Sequence, residues 1–154
     1  MGLGHYIAEG FRAVVSTLDD GGPDGGEAVL PGGIYYGARA EADTPLYPLG
    51  LLHIEEVDRE FNSGGGSLAT YDVRLTVYAQ AGQQYPAESV RRVAAYFAGN
   101  TFSLLGTMPA EFGRLVSMLP QTGTIEEDPD DEFGQDTNRA SITWQITLSE
   151  RVKL

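Results

Sequence analysis

The sequence predicts an α+β domain built on a single mixed, mostly antiparallel sheet, with two helices packed on one face. Two observations support this fold class. Apolar and polar residues alternate over residues 69–79 and 140–149, which is the period of a strand with one buried face. Over residues 4–18 and 86–99, apolar residues recur every three or four positions, which is the period of an amphipathic helix. The predicted order of elements is α-β-β-β-α-β-β.

The two alternating segments are the strongest strand predictions, and we expect them to carry the core of one sheet. Their apolar positions are Tyr71, Val73, Leu75, Val77 and Ala79 in the first segment, and Ala140, Ile142, Trp144, Ile146 and Leu148 in the second. The helical stripes are Ile7, Phe11, Val14, Val15 and Leu18 in the first helix, and Val90, Val93, Ala94 and Phe97 in the second. Arg91 and Arg92 fall on the solvent side of the second helix, where they are expected to form salt bridges or to contact a partner.

Shorter strands and loops fill the remaining sequence. Strands are predicted at residues 34–36, 51–57 and 114–119. Mobile surface loops are predicted near residues 19–33, 62–67 and 126–138, because glycine, proline and acidic residues dominate there. Since the loop at 62–67 is short and rich in glycine, the strands on either side of it should be antiparallel neighbours.

Length and composition limit what this chain can be. With 154 residues it has the size of one domain, which we place at residues 1–154. The absence of cysteine excludes disulfides and thiolate zinc sites, and His5 and His53 alone could not bind a metal without carboxylates. No apolar segment is long enough to span a bilayer, and no export signal precedes the first helix. We therefore expect a soluble protein that is made in the cytoplasm.

The strong negative charge excludes other classes of function. Twenty-two acidic and 10 basic residues give a formal net charge of −12, which repels nucleic acid and anionic membranes. A sequence-reading DNA-binding domain is therefore not expected. The charge could serve solubility alone, or it could form an acidic wall along which DNA passes without sticking.

No motif for catalysis or for a cofactor stands out, and we predict a protein that is not an enzyme. The acidic segment 126–136 holds oxygen ligands of the kind that calcium takes, but it lacks the ligand spacing of a calcium-binding loop and favours a solvated or partner-facing loop. Glu55 and Glu56 are neighbours in a predicted strand, so their side chains should point to opposite faces. The glycine runs lack the lysine and the helix start that a phosphate-binding loop requires. Eight tyrosines are more than a core of this size needs, which suggests oligomerisation.

Several local phrases point to a family. They are TPLYPLGLLHIEEV at residues 44–57, YDVRLTVYA at 71–79, the helix with Val90, Val93 and Phe97, and RASITWQITLSE at 139–150. In this order they resemble the tail-terminator or tail-completion proteins of long-tailed bacteriophages. The resemblance covers residues 34–154 and the opening helix. The long segment 19–33 and the high charge of 126–136 depart from the family pattern.

The resemblance implies a structural virion protein that needs no cofactor and is assembled in the host cytoplasm. Such a protein forms a ring of six copies at the head-proximal end of the tail. The ring caps the tail-tube protein and meets a head-side connector or neck protein, and DNA passes through its lumen without specific binding. The partner-facing residues that we predict are Asp128, Asp130, Asp131, Glu132, Asn62, Arg91 and Arg92. One alternative is a head-tail connector or neck protein. The other is a small hydrolase or ligand-binding domain with His53, Glu55 or Asp72 in a pocket.

Overall fold

Two helices and six strands make up the described part of the protein. The structure, a computed structural model, describes residues 3–16, 18, 29–36, 48–61, 66–80, 86–99, 114–120, 126–130 and 137–151. In chain order the elements are α1 (Leu3–Val15), β1 (Ile34–Tyr36), β2 (Leu49–Phe61), β3 (Gly66–Gln80), α2 (Pro86–Gly99), β4 (Arg114–Pro120), β5 (Glu126–Asp130) and β6 (Thr137–Arg151).

All six strands belong to one sheet. The strand order is β1-β2-β3-β6-β4, and β5 also pairs with β6. β1 pairs with β2 in parallel, whereas every other pair is antiparallel. β4 pairs with residues 144–149 of β6 and β5 pairs with residues 137–141, so the two short strands lie end to end along the side of β6 that faces away from β3. The predicted fold class, α+β with a single mixed and mostly antiparallel sheet, is confirmed.

Both helices pack on the same face of the sheet, and three aromatic rings mark where they meet it. The ring centroids of Phe11 in α1 and Phe97 in α2 lie 4.8 Å apart. Trp144 of β6 contacts both of them, at 5.4 Å from Phe11 and 5.7 Å from Phe97. The tilted and edge-to-face geometries are those that aromatic quadrupoles favour. This cluster joins the two helices to the centre of the sheet.

The predicted apolar faces of the two central strands are buried. Every predicted apolar position of β3 and β6 is at most 6% exposed, and the two strands pair over all 15 residues of each. Tyr78 is an exception to the alternation, because it was expected on the polar side of β3. It is buried on that side opposite Leu49 of β2, which is also buried. We call the face of the sheet opposite the helices the open face. At the end where Tyr78 and Leu49 lie, this face is buried as well.

The acidic segment 126–136 is not a loop throughout. Residues 126–130 form β5, which adds one strand to the predicted order, and residues 131–136 lie outside the described residues. Glutamate, aspartate and proline are all poor strand formers. Backbone pairing with the end of β6 overrides this local preference, and proline is tolerated on an edge strand because alternate N–H groups there need no partner.

The segment 19–33 also differs from the expected surface loop at its C-terminal end. Val29 and Leu30 are buried in the core at 5% exposure, and the Val29 N–H donates to the Leu18 carbonyl at 3.1 Å. Helix α1 ends at Val15, three residues before the predicted end. A turn follows Leu30 and places Gly33 at φ 81°, a backbone conformation that favours glycine.

Three strands are longer than predicted by more than one residue. β3 begins at Gly66, so the last two residues of the expected loop 62–67 belong to the sheet, and residues 62–65 lie outside the described residues. β2 covers Leu49–Phe61 rather than residues 51–57, and β6 covers Thr137–Arg151. Pairing with a neighbouring strand sets these ends, and no periodic pattern of burial marks them in the sequence.

Candidate functional site

The candidate site is the second half of β2, where the strand is exposed and rich in carboxylates. Leu49, Gly50 and Leu52 are buried, but residues 55–61 are exposed except for the half-buried Arg59. We call residues 55–61 the acidic edge, because Glu55, Glu56, Asp58 and Glu60 lie within it and Arg59 is its one basic residue. A surface with this negative charge repels other acidic surfaces and attracts basic ones.

The backbone of the acidic edge is paired on one side only within the described sheet. β1 pairs only with residues 50–52 of β2, whereas β3 pairs with the other side of β2 along its whole length. In the part of the chain that the structure describes, no strand pairs with the outer side of β2 beyond Leu52. Edge strands present unpaired N–H and C=O groups, which can bind a further polypeptide.

Arg59 braces the acidic edge against β3. Its Nε donates to Glu56 Oε1 at 2.6 Å, and its Nη1 donates to Ser67 Oγ at 2.9 Å. Nη2 also reaches the hydroxyl of Tyr71 at 3.4 Å. These contacts bracket Val57, where the pairing of β2 with β3 shifts register by a bulge. The carboxylates around Arg59 are therefore displayed on an ordered strand.

Apolar side chains are exposed beside these charges. Phe61 is 74% exposed and Val57 is 45% exposed, and Leu68 of β3, opposite Glu60, is 40% exposed. Carboxylates on an edge strand can be explained by protection against edge-to-edge aggregation. That explanation does not cover an exposed phenylalanine, because an exposed aromatic ring favours association. The combination is typical of a surface that binds a particular partner.

A second charged surface lies on α2. Arg91 and Arg92 are both exposed, as predicted, and Arg91 donates to Glu88 at 2.6 Å. Arg92 has no hydrogen bond or ion pair with any described residue. Helix α2 packs on β3 and β6 and lies next to β5, whereas α1 packs on β1 and β2. The two arginines therefore lie on a helix that covers β3 and β6, whereas the acidic edge belongs to β2.

The other predicted interface residues are placed only in part. Asp128 and Asp130 lie on β5, beside α2, and their strand is in register with Arg139 and Thr137 of β6. Asp131, Glu132 and Asn62 lie outside the described residues. Of the seven predicted residues, Arg91 and Arg92 lie on α2, and Asp128 and Asp130 lie on β5, which contacts this helix.

The residues considered for an enzyme or ligand-binding domain do not share a described cavity. By strand register, His53, Glu55 and Asp72 lie on the sheet face opposite the helices, and His53 and Glu55 are exposed. Glu55 is opposite Asp72, whereas Glu56 is opposite Tyr71, which agrees with the prediction that the two glutamates point to different faces. A cavity of about 280 Å³ lies instead between α1 and β1, lined by Arg12, Val15, Ser16, Leu30, Gly33 and Ile34.

Asp72 has an unusual environment for a carboxylate. Its Oδ1 atom is buried and has no hydrogen-bond partner among the described residues. Glu55 of β2 is directly opposite it on one side and Gln145 of β6 on the other. No group of three or more His, Asp and Glu side chains within the described ranges could hold a metal ion. Asp72 therefore combines a like charge directly opposite it with a buried oxygen that has no described partner.

Comparisons with known proteins assign no function to the site. No model of a known protein family matches the chain, and no curated protein sequence matches it. Neither α1 nor α2, the two helices in the described ranges, combines the length and the apolar character that crossing a membrane requires.

The sequence-based prediction missed the acidic edge, although a signal for it was present. The segment Glu55–Glu56–Val57–Asp58–Arg59–Glu60–Phe61 follows an apolar strand start directly and contains neither glycine nor proline. A charged continuation of a strand is typical of an edge, where both faces can be solvated. Since it lacks the alternation of a half-buried strand, periodicity alone could not identify it.

Proposed function

We propose that this protein is a structural subunit that assembles with copies of itself into a ring at the head-proximal end of a phage tail. The ring would have six copies if it follows the family that the sequence resembles. In this role it caps the tail tube and joins the tail to the head-side connector. It acts through its surfaces and requires neither a catalytic residue nor a cofactor.

The observation that carries the proposal is the acidic edge with its exposed aromatic residue. An assembly subunit needs a surface that is ordered before it meets its partner, because ordering a segment on binding reduces affinity. The hydrogen bonds of Arg59 to Glu56 and Ser67 supply that order. Phe61 and Val57 supply apolar area that binding would remove from water.

The charge of the protein supports the part of the proposal that concerns DNA. A ring of copies that each carry a formal charge of −12 surrounds its lumen with negative potential. Phosphate groups are repelled by such a wall, so DNA can move past it without being held. We expect no band shift when the purified protein is mixed with double-stranded DNA, even at low ionic strength, where electrostatic attraction is strongest.

The proposal is tested by the mass of the purified full-length protein in solution. Light scattering across a concentration series, with and without the tail-tube protein of the same genome, should detect a closed oligomer or one that forms on the tube. Negative-stain electron microscopy should then show rings. A strict monomer at all concentrations that also ignores the tube protein would contradict the proposal. Binding to head components in place of the tube would reassign the protein to the neck.

A further inference from the structure

We propose that the acidic edge of one copy docks on the Arg91 and Arg92 surface of α2 in a second copy of this chain. This inference rests on the proposed function, since it names the two surfaces through which the ring would assemble.

Charge complementarity selects the partner surface. The acidic edge has four carboxylates, of which only Glu56 is paired with Arg59 among the described residues. Arg91 and Arg92 are the only two consecutive exposed basic residues within the described ranges. Arg92 has no partner there, and the contact of Arg91 with Glu88 is between two largely exposed side chains. A guanidinium group can bind a carboxylate in a bidentate manner, so this pair of arginines suits an acidic strand.

The same charges exclude a simpler arrangement, in which the edges of two β2 strands pair with each other. Antiparallel pairing of two acidic edges would place carboxylates opposite carboxylates, which is destabilising. β5 would be no better as a partner, because Glu126, Glu127, Asp128 and Asp130 give it the same sign. The acidic edge therefore opposes extension of the sheet onto either of these strands and favours a basic helix.

Position in the fold makes the contact suitable for a ring. The acidic edge is the outer side of β2, whereas α2 packs over the face of β3 and β6, so the two surfaces are separate parts of the domain. Because two different surfaces of the same chain would meet, the contact is heterologous, and a heterologous contact generates a ring when its rotation closes. A contact between identical surfaces would stop at a dimer.

The exposed part of α2 can also accept the apolar residues of the acidic edge. Ala95 and Ala98 are exposed one and two turns beyond Arg91, on the same side of the helix, since they lie four and seven residues after it. Their small side chains would let Phe61 approach the helix closely. A phenylalanine ring beside guanidinium groups gains further attraction from cation-π contact.

The experiment reverses the charge of each surface separately in the full-length protein. The helix variant carries Arg91→Glu and Arg92→Glu, and the edge variant carries Asp58→Arg and Glu60→Arg. Sedimentation equilibrium of each variant, and of the two mixed in equal amounts, measures self-association. The control variant is Arg74→Glu, which changes an exposed arginine on the open face of the sheet. Circular dichroism and thermal melting show whether each variant is folded.

The dissociation constant for self-association should be about tenfold higher or more in the helix variant and in the edge variant, each measured alone. The reason is that attraction at the contact is replaced by repulsion. The edge variant separates this effect from general self-repulsion: its formal charge is −8 rather than −12, so net charge alone would strengthen its association. The mixture should recover association, since every edge can then meet a helix of opposite charge. The control variant should associate as the original protein does.

The failures of the two proposals can be told apart. If the original protein associates but either variant associates equally well, or if the mixture does not recover, the docking contact is wrong and the assembly proposal stands. If the original protein stays monomeric at all concentrations and with the tail-tube protein, the assembly proposal is wrong and the docking contact falls with it.

Discussion

The first residues of β2 lie in a sheet that both helices cover, whereas residues 55–61 of the same strand carry carboxylates and an exposed phenylalanine. Pairing with β3 does not distinguish the two halves, because β3 pairs with β2 from Leu49 to Phe61, with one bulge at Val57, although β1 adds a second neighbour at residues 50–52. Side-chain burial does: Leu49 and Leu52 are at most 3% exposed, whereas Phe61 is 74% exposed. One strand is thus buried at one end and presents charged and aromatic side chains to solvent at the other.

This contrast explains how a domain can carry an exposed apolar surface and still fold. The aromatic cluster of Phe11, Phe97 and Trp144 is buried, and none of its residues belongs to the acidic edge. Arg59 fixes the acidic edge through hydrogen bonds, and the burial of the edge's own apolar residues is not needed. Substitutions in the buried half of β2 and in the core beside it should therefore change the free energy of unfolding. Substitutions of the exposed apolar residues of the acidic edge should instead change self-association.

The largest effect is expected from Phe97→Ala, which removes the ring that touches both Phe11 and Trp144. Truncating a buried phenylalanine typically costs about 3–5 kcal/mol of unfolding free energy, because a cavity remains. Urea unfolding followed by the fluorescence of Trp144, the one tryptophan, measures the loss. A change below about 1 kcal/mol would mean that the aromatic cluster does not hold the helices to the sheet.

Gly50→Val should have the next largest effect, because a side chain at this position meets three others. A Cβ atom on Gly50 would lie 3.0 Å from Leu75 Cδ1 and 3.2 Å from Leu30 Cδ1, and 3.4 Å from Ile34 Cγ1. Overpacking of this kind costs about 1–3 kcal/mol. Thermal and urea unfolding should both show it. If stability rose instead, the junction of β1, β2 and β3 would be more loosely packed than its distances indicate.

Asp72→Asn should raise stability by about 0.5–1 kcal/mol, because it removes a charge that is directly opposite Glu55 and replaces a partly buried carboxylate with a neutral amide, which costs less to bury. Asp58→Asn is the matched control, since Asp58 is exposed and opposite the uncharged Thr70. Urea unfolding at low and high salt separates the two causes, as only the repulsion is screened. A loss of stability in Asp72→Asn would refute the assigned cost of this carboxylate.

The smallest change in stability is expected from Phe61→Ala, the same substitution as at Phe97 but at the exposed end of β2. The unfolding free energy should change by less than about 0.5 kcal/mol, because little apolar surface is buried there. Self-association measured by light scattering should weaken in this variant while folding does not. If Phe61→Ala cost as much stability as Phe97→Ala, the contrast between the two ends of β2 would not hold.

The sequence by itself determined the elements that have one buried face. Helices α1 and α2 and strands β3 and β6 each bury one side and expose the other, and that asymmetry appears in the sequence as a period of 3.6 or of 2. The spacing of apolar residues is therefore enough to assign Trp144 and Phe97 to the core, and Arg91 and Arg92 to solvent.

Tertiary structure decided the elements that have no such asymmetry. β5 and the acidic edge are rich in carboxylates and carry no apolar alternation, and Gly66 and Ser67 look like a turn until β3 pairs with a strand on each side. These segments are strands because a neighbour distant in sequence supplies their hydrogen bonds. A local pattern records which side of an element is buried, whereas strand pairing between distant segments depends on the fold as a whole.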